Sequence, residues 1–142
     1  AMVGRPVLLV PHGVEELAAK RVVIAWKDTR EARRAILDAL PLLQLCESAI
    51  VALIGEGEDP TSGQEAVDDV VVWLSRHGIS ASSTVRPLLD SVSQDLDLLA
   101  YEEGADLIIA GAYGLSRFRE WALGGATRDF IMRMPRCIFL AH

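Results

Sequence analysis

The chain has 142 residues, of which 51% are apolar and 24% charged, enough for one domain with a substantial buried core and too apolar for a disordered segment. A formal charge of -6 and a pI near 5.0 argue against nucleic acid or an anionic membrane surface as the main partner. No apolar run is long enough to span a bilayer, and Pro11, His12 and Gly13 interrupt the opening run before it can form a signal peptide, so a cytoplasmic protein is expected.

In chain order, Arg5–Val10 reads as a short strand, Val14–Lys20 as a polar connector and Arg21–Trp26 as a second strand rich in valine and isoleucine. Thr29 is placed to cap a helix running to about Leu45. Ala32, Ala35, Ile36, Ala39, Leu40 and Leu43 form its apolar face at helical spacing. Pro41 conflicts with an unbroken helix and predicts a kink or a new turn. Ala49–Ile54 is the next strand, followed by an acidic loop over Gly55–Gly63. From Ser62 or Gly63 a second helix presents Ala66, Val67, Val70, Val71 and Leu74 inward and stops at Gly78.

Ser80–Leu88 reads as a strand with alternating, β-branched character. Ser91 followed by Gln94 resembles a capping box, opening a helix that carries Val92, Leu96, Leu99 and Ala100 and ends near Gly104. Asp106–Ala110 is a further buried strand, Gly125–Met134 a helix closed by Pro135, and Cys137–Ala141 the last strand. Strands alternating with amphipathic helices predict βαβ units and a mostly parallel sheet covered on both faces. In such a sheet, ligands bind beyond the carboxyl ends of the strands, where Trp26, Ile54, Ala110 and their loops would lie.

The glycines are concentrated at that edge. Gly111-Ala112-Tyr113-Gly114 follows the apolar run Leu107–Ala110, and nine residues later comes Gly124-Gly125-Ala126-Thr127. Glycine turns admit close backbone approach and aim free N–H groups at an anion, and a helix start adds unpaired donors. Two such turns facing one cavity would make a phosphate cradle. The competing reading is a pair of plain strand-end turns.

On these residues the chain resembles the universal stress protein family across Lys20–His142. That family's nucleotide pattern is glycine, two residues, glycine, nine residues, then glycine followed by serine or threonine. Gly111, Gly114 and Gly124 match its glycines. The segment Gly124–Arg128 and the closing Ala-His resemble the second half of tandem bacterial members, whose first half commonly ends like Gly4–Pro11. The resemblance divides the chain into an extra strand and connector at 1–19 and a family domain at 20–142. It implies a three-layer α/β fold of the adenine-nucleotide alpha-hydrolase-like type, with an open parallel sheet in strand order 3-2-1-4-5 plus the extra N-terminal strand.

It also implies ATP or a related adenine nucleotide as ligand, with Mg2+ only alongside a bound nucleotide, and a homodimer paired through edge strands. Phosphates would meet Gly114, Gly124, Gly125, Ala126 and Thr127. Base and ribose would lie near Ala25, Trp26, Lys27, Val51, Ala110 and Gly111. Two positions depart from the family pattern: Lys27 stands where an aspartate is usual, and Gly125 where a hydroxyl residue is usual. Each loss removes a hydrogen bond worth about 0.5–1.5 kcal/mol. Lysine would offset part of it by attracting phosphate, and Trp26 would either stack on a base or plug the pocket.

Enzyme chemistry is weakly supported. Ser116, His77 and Asp106 lie on separate elements without a nucleophile elbow, and no Walker lysine follows the glycines. Asp28, Glu56, Glu58 and Asp59 are numerous enough to hold magnesium but read first as solvated surface. Arg117 and Arg119 read as surface charge beside Glu120, or as phosphate attractors. Cys46 and Cys137, far apart and outside any CxxC motif, read as buried free thiols, and the three histidines have no metal-ligand spacing. The leading expectation is a stress-response regulatory protein that binds an adenine nucleotide without efficient catalysis and acts on a protein partner. The alternative is a nucleotide-independent dimerisation module built on the edges Arg5–Val10 and Cys137–Ala141, with a slow phosphohydrolase last.

Overall fold

The computed structural model describes residues 6–55, 59–111 and 135–141. Their elements are β1 (Val7–Leu9), β2 (Arg21–Ala25), α1 (Arg30–Leu45), β3 (Ser48–Gly55), α2 (Pro60–Arg76), β4 (Ala81–Pro87), α3 (Val92–Glu103), β5 (Leu107–Gly111) and β6 (Cys137–Ala141). The helix expected at Gly125–Met134 lies outside the described residues.

All six strands join one sheet in the order β1-β6-β5-β2-β3-β4. Every neighbouring pair is parallel except β1 with β6. Counted from Arg21, the five parallel strands have the order 3-2-1-4-5 that the family resemblance implied. The central strands β2, β3 and β5 are apolar throughout their middles because helices cover both faces. On one face α1 lies over β5 and β6 while α2 lies over β3 and β4; α3 covers the other face over β2 and β3. Each face has its own core. Val22, Ile24, Val51, Leu107 and Ile109 meet α1 and α2, while Val23, Ala52, Ile54 and Ile108 meet α3.

The helices start and stop where their caps allow. Thr29 Oγ1 accepts from the Ala32 amide at 3.1 Å, opening α1 as expected. Ala32, Ala35, Ile36, Ala39 and Leu43 then form the buried stripe, its alanines letting the helix lie close to the sheet. Pro41 does not divide α1, which runs through it to Leu45. The proline is solvent-exposed, as is Leu37 one turn earlier, whose carbonyl loses its helical donor to the ring.

The second helix begins earlier than its pattern suggested. Asp59 caps it by accepting from the Thr61 amide at 3.2 Å, and Pro60 stands in its first turn, where a missing N–H costs nothing. Gly63 is a packing residue inside it: a Cβ there would approach Leu53 Cδ2 to 2.9 Å. Ser91 caps α3 by accepting from the Gln94 amide, and Gly104, at φ +65, ends it in the left-handed conformation. Leu43, Leu74 and Leu99, one from each helix, are fully buried. Each such burial contributes about 1.5–3 kcal/mol.

One expectation about the edges fails. Arg5–Val10 and Cys137–Ala141 do not form two free edges, because they pair with each other: Val7 with Leu140, Leu8 with Phe139, Leu9 with Ile138. Among the described residues the edges of the sheet are therefore β1 and β4. β1 is three residues long, lies between Pro6 and Pro11, and leaves Val7 and Leu8 49% and 42% exposed. Its connector is anchored further on. Ala19, at φ +49, donates its amide to Asp106 Oδ2 at 3.0 Å, and its side chain is buried. Arg136, ahead of β6, joins that strand to α3 through Asp97 O and the Asp97 carboxylate, and to the turn after α3 through Ala105 O.

Candidate functional site

The chain leaves β2 towards β3 and leaves β5 towards β6, in opposite directions across the sheet. Because β2 and β5 are adjacent and parallel, their carboxyl ends form the switch-point crevice of a doubly wound sheet. Ala25 and Ala110 are register partners there, both small and only partly buried. Beyond Ala25, the Trp26 amide continues the ladder by donating to Ala52 O at 2.8 Å. Lys27 is exposed, and its carbonyl accepts from the Thr29 amide at 2.7 Å in the tight turn that leads into α1.

Strand alternation divides the expected site residues between two faces. Ala25 packs with the α3-side core, whereas Trp26 and Val51 pack with the core beneath α1 and α2. Val51 is fully buried in mid-strand, between Ile24 and Ser83. Gly111 ends β5 hard against α1: a Cβ on it would lie 2.5 Å from Ala32 N and 2.5 Å from Glu31 C. Absence of a side chain at Gly111 is thus a packing requirement, whatever binds nearby. Gly114, Gly124, Gly125, Ala126 and Thr127, the expected phosphate cradle, lie outside the described residues, as do Ser116, Arg117 and Arg119.

Trp26 instead borders a cleft of about 390 Å³ between α1 and α2. Ile36 and Val70 line its apolar interior, Trp73 stands on the α2 wall, and Asp28, Arg33 and Asp69 supply its charges. The Trp26 Nε1–H is sealed from solvent and has no acceptor among the described residues. Trp73 is steadied by His77, whose ring centroid lies 4.1 Å away and whose Nδ1 is 2.9 Å from Trp73 O. Sequence reasoning missed Trp73 and Asp69 because it followed only the inward stripe of α2. The available signal was that Asp69 and Val70 stand four and three residues before Trp73, each a neighbour spacing on a helix.

Glu56 and Glu58 lie outside the described residues, and the remaining polar candidates have structural partners. Asp28 pairs with Arg33, Asp59 caps α2, and no cluster of metal-binding side chains occurs among the described residues. His77 meets the Trp73 carbonyl and Asp106 holds the Ala19 amide. Both cysteines are free; Cys137 is buried and Cys46 only half-buried, a correction to the expected burial of both. Burial pushes both thiols above the ordinary range, and at Cys137 the nearby Asp106 carboxylate adds to the rise.

No protein-family model and no curated protein matches the chain. Solved structures do. A universal stress protein from Archaeoglobus fulgidus superposes with a TM-score of 0.67 at 19% identity, covering 87% of this chain and 44% of that one. The chain therefore spans under half the length of that neighbour. A universal stress protein in complex with cAMP superposes at 0.60 with 20% identity, over 89% of this chain and 98% of its own. A family protein from Arabidopsis thaliana with AMP bound gives 0.55 and 11%, over 85% and 89%. Strand order, the crevice between β2 and β5, and these superpositions agree: the chain has the universal stress protein fold.

Proposed function

We propose that this chain is a universal stress protein-type regulatory domain that binds an adenine nucleotide in the crevice beyond β2 and β5. The observation that carries the reading is the Ala25–Ala110 pair, where two small, partly buried residues face each other at the switch point. A bulky side chain at either position would occupy the ground a planar base needs. Structures of the same fold with cAMP and AMP support the ligand class.

In this reading residues 20–142 form the binding domain and 1–19 add an accessory strand. The base and ribose lie against Ala25, Lys27 and Ala110, with Gly111 holding β5 against α1 and Trp26 and Val51 backing the crevice from the other face. The phosphates lie on backbone amides at Gly114 and Gly124–Thr127. Amide donors in turns and at a helix start favour a polyanion without any lysine motif. When a triphosphate binds, Mg2+ accompanies it as counterion to the phosphates. Lys27 adds positive charge, while a missing hydroxyl at Gly125 costs one donor, so the affinity is modest. Binding steadies the loops after β2 and β5 and changes association with a protein partner in the cytoplasm. Holding the nucleotide, rather than turning it over, is the function.

Equilibrium dialysis with ATP, AMP and cAMP, with and without magnesium, tests this. Saturable binding to a single site, weakened by Gly114→Val, is the expected result. Absence of saturable binding for all three would leave only the alternative of a dimerisation module independent of nucleotide. Such a module would have to use β1, β4 or a helical face, since β6 is already paired.

A further inference from the structure

We propose that the cleft between α1 and α2 is a second ligand site, taking a small organic cation with an apolar body. Its volume of about 390 Å³ falls within the usual range for small-molecule pockets, roughly 300–1,000 Å³. Two indoles, Trp26 and Trp73, border it, and the ring faces of tryptophan attract cations more strongly than any other side chain. Trp73 is held in place by the tilted stack on His77, so little side-chain freedom remains to be lost when a ligand docks.

The charges select the ligand's sign. Arg33 is already paired with Asp28, while Asp69 has no ion-pair partner among the described residues. The lining therefore carries two carboxylates against one guanidinium, and the uncompensated charge is negative. An anion would face Asp69 unshielded; a neutral apolar molecule would gain the indole surfaces but nothing from the carboxylate. A cation with an apolar body uses both. The site is distinct from the proposed nucleotide crevice, because Trp26 packs on the α1/α2 face and Ala25 on the α3 face of the sheet.

The test titrates the full chain with benzyltrimethylammonium and with neopentylbenzene, its uncharged carbon isostere, following the indole N–H signals of Trp26 and Trp73 by NMR. Saturable shifts with the cation are expected, and weaker ones with the isostere. Asp69→Asn, at an exposed position where surface substitutions change stability little, is expected to weaken the cation about two- to fivefold and to flatten its salt dependence. Trp73→Leu is expected to weaken it about tenfold or more. With ATP in excess the cation is still expected to shift the Trp73 signal saturably, so failure of nucleotide binding does not touch this result. Equal affinity for the isostere, an unaltered Asp69→Asn titration, or no saturation across the millimolar range would each overturn the proposal.

Discussion

A methyl group placed on Gly111 would lie 2.5 Å from the backbone nitrogen of Ala32, closer than any real Cβ contact. Both partners are main chain, at the end of β5 and in the first turn of α1, so neither can swing aside as a flexible side chain would. The first glycine of the sequence motif thus sets how closely helix and sheet approach at the crevice. Gly111→Ala is expected to destabilise the fold by about 1–3 kcal/mol, in the manner of an overpacked core. Urea denaturation measures it, and an unchanged midpoint would show that α1 and β5 are not in contact there.

Trp26 makes the opposite case, a large side chain with a polar atom it does not satisfy. Its Nε1–H is buried without an acceptor among the described residues. Leaving such a donor unpaired costs about 1–3 kcal/mol. Trp26→Phe removes the donor and keeps most of the apolar contact, so stability within about 1 kcal/mol of the parent is expected. Trp26→Ala should lose about 2 kcal/mol or more, because the core beneath α1 and α2 is then left with a void. Equal losses in the two variants would mean that the N–H has a partner after all.

The pairing of β1 with β6 gives a prediction about association. Among the described residues three pairs hold β1 in place, and Leu8 sits at the middle one, opposite Phe139. Leu8→Pro removes an amide and clashes with ladder geometry, uncovering a five-residue apolar strand. An exposed edge of that kind recruits another chain. Sedimentation is expected to show concentration-dependent self-association of Leu8→Pro beyond that of the parent; identical profiles would mean that β1 does not protect β6.

The thiols set a pH dependence. Both have folded-state pKa values raised by burial, so each prefers its neutral form in the native chain. Their contribution to stability is complete below the ordinary thiol value of about 8.5 and is lost as pH rises from there through the higher folded values, since the unfolded chain releases the protons first. Alkylation should accordingly be slow near neutrality. Cys46, half-buried, is expected to react first, and Cys137, 1% exposed, only upon unfolding. Simultaneous modification of both under native conditions would contradict this burial.

Much of the fold was legible in the sequence because its signals are local. Thr29, Ser91 and Gly104 act through hydrogen bonds or dihedral angles within a few residues, and the structure uses each as expected. Apolar runs such as Val22–Ile24 and Leu107–Ile109 declare strands buried on two faces. What escaped depends on tertiary geometry. Pro41 is tolerated because it faces solvent, and nothing in its immediate sequence states that. The β1–β6 pairing joins residues more than a hundred positions apart, so each strand alone looks like an edge. At the sheet's carboxyl edge the sequence placed Trp26 and Ala110, and both stand at the ends of adjacent strands. It did not separate Ala25 from Trp26, since the face each takes follows from which helices cover the sheet.

The account depends most on a nucleotide reaching the ends of β2 and β5, and the methyl NMR signals of Ala25 and Ala110 report on that position directly. Titration with AMP is expected to shift both methyls saturably and together, while the Trp73 indole signal stays in place. Methyl signals that remain unmoved while AMP is raised through the millimolar range would contradict it.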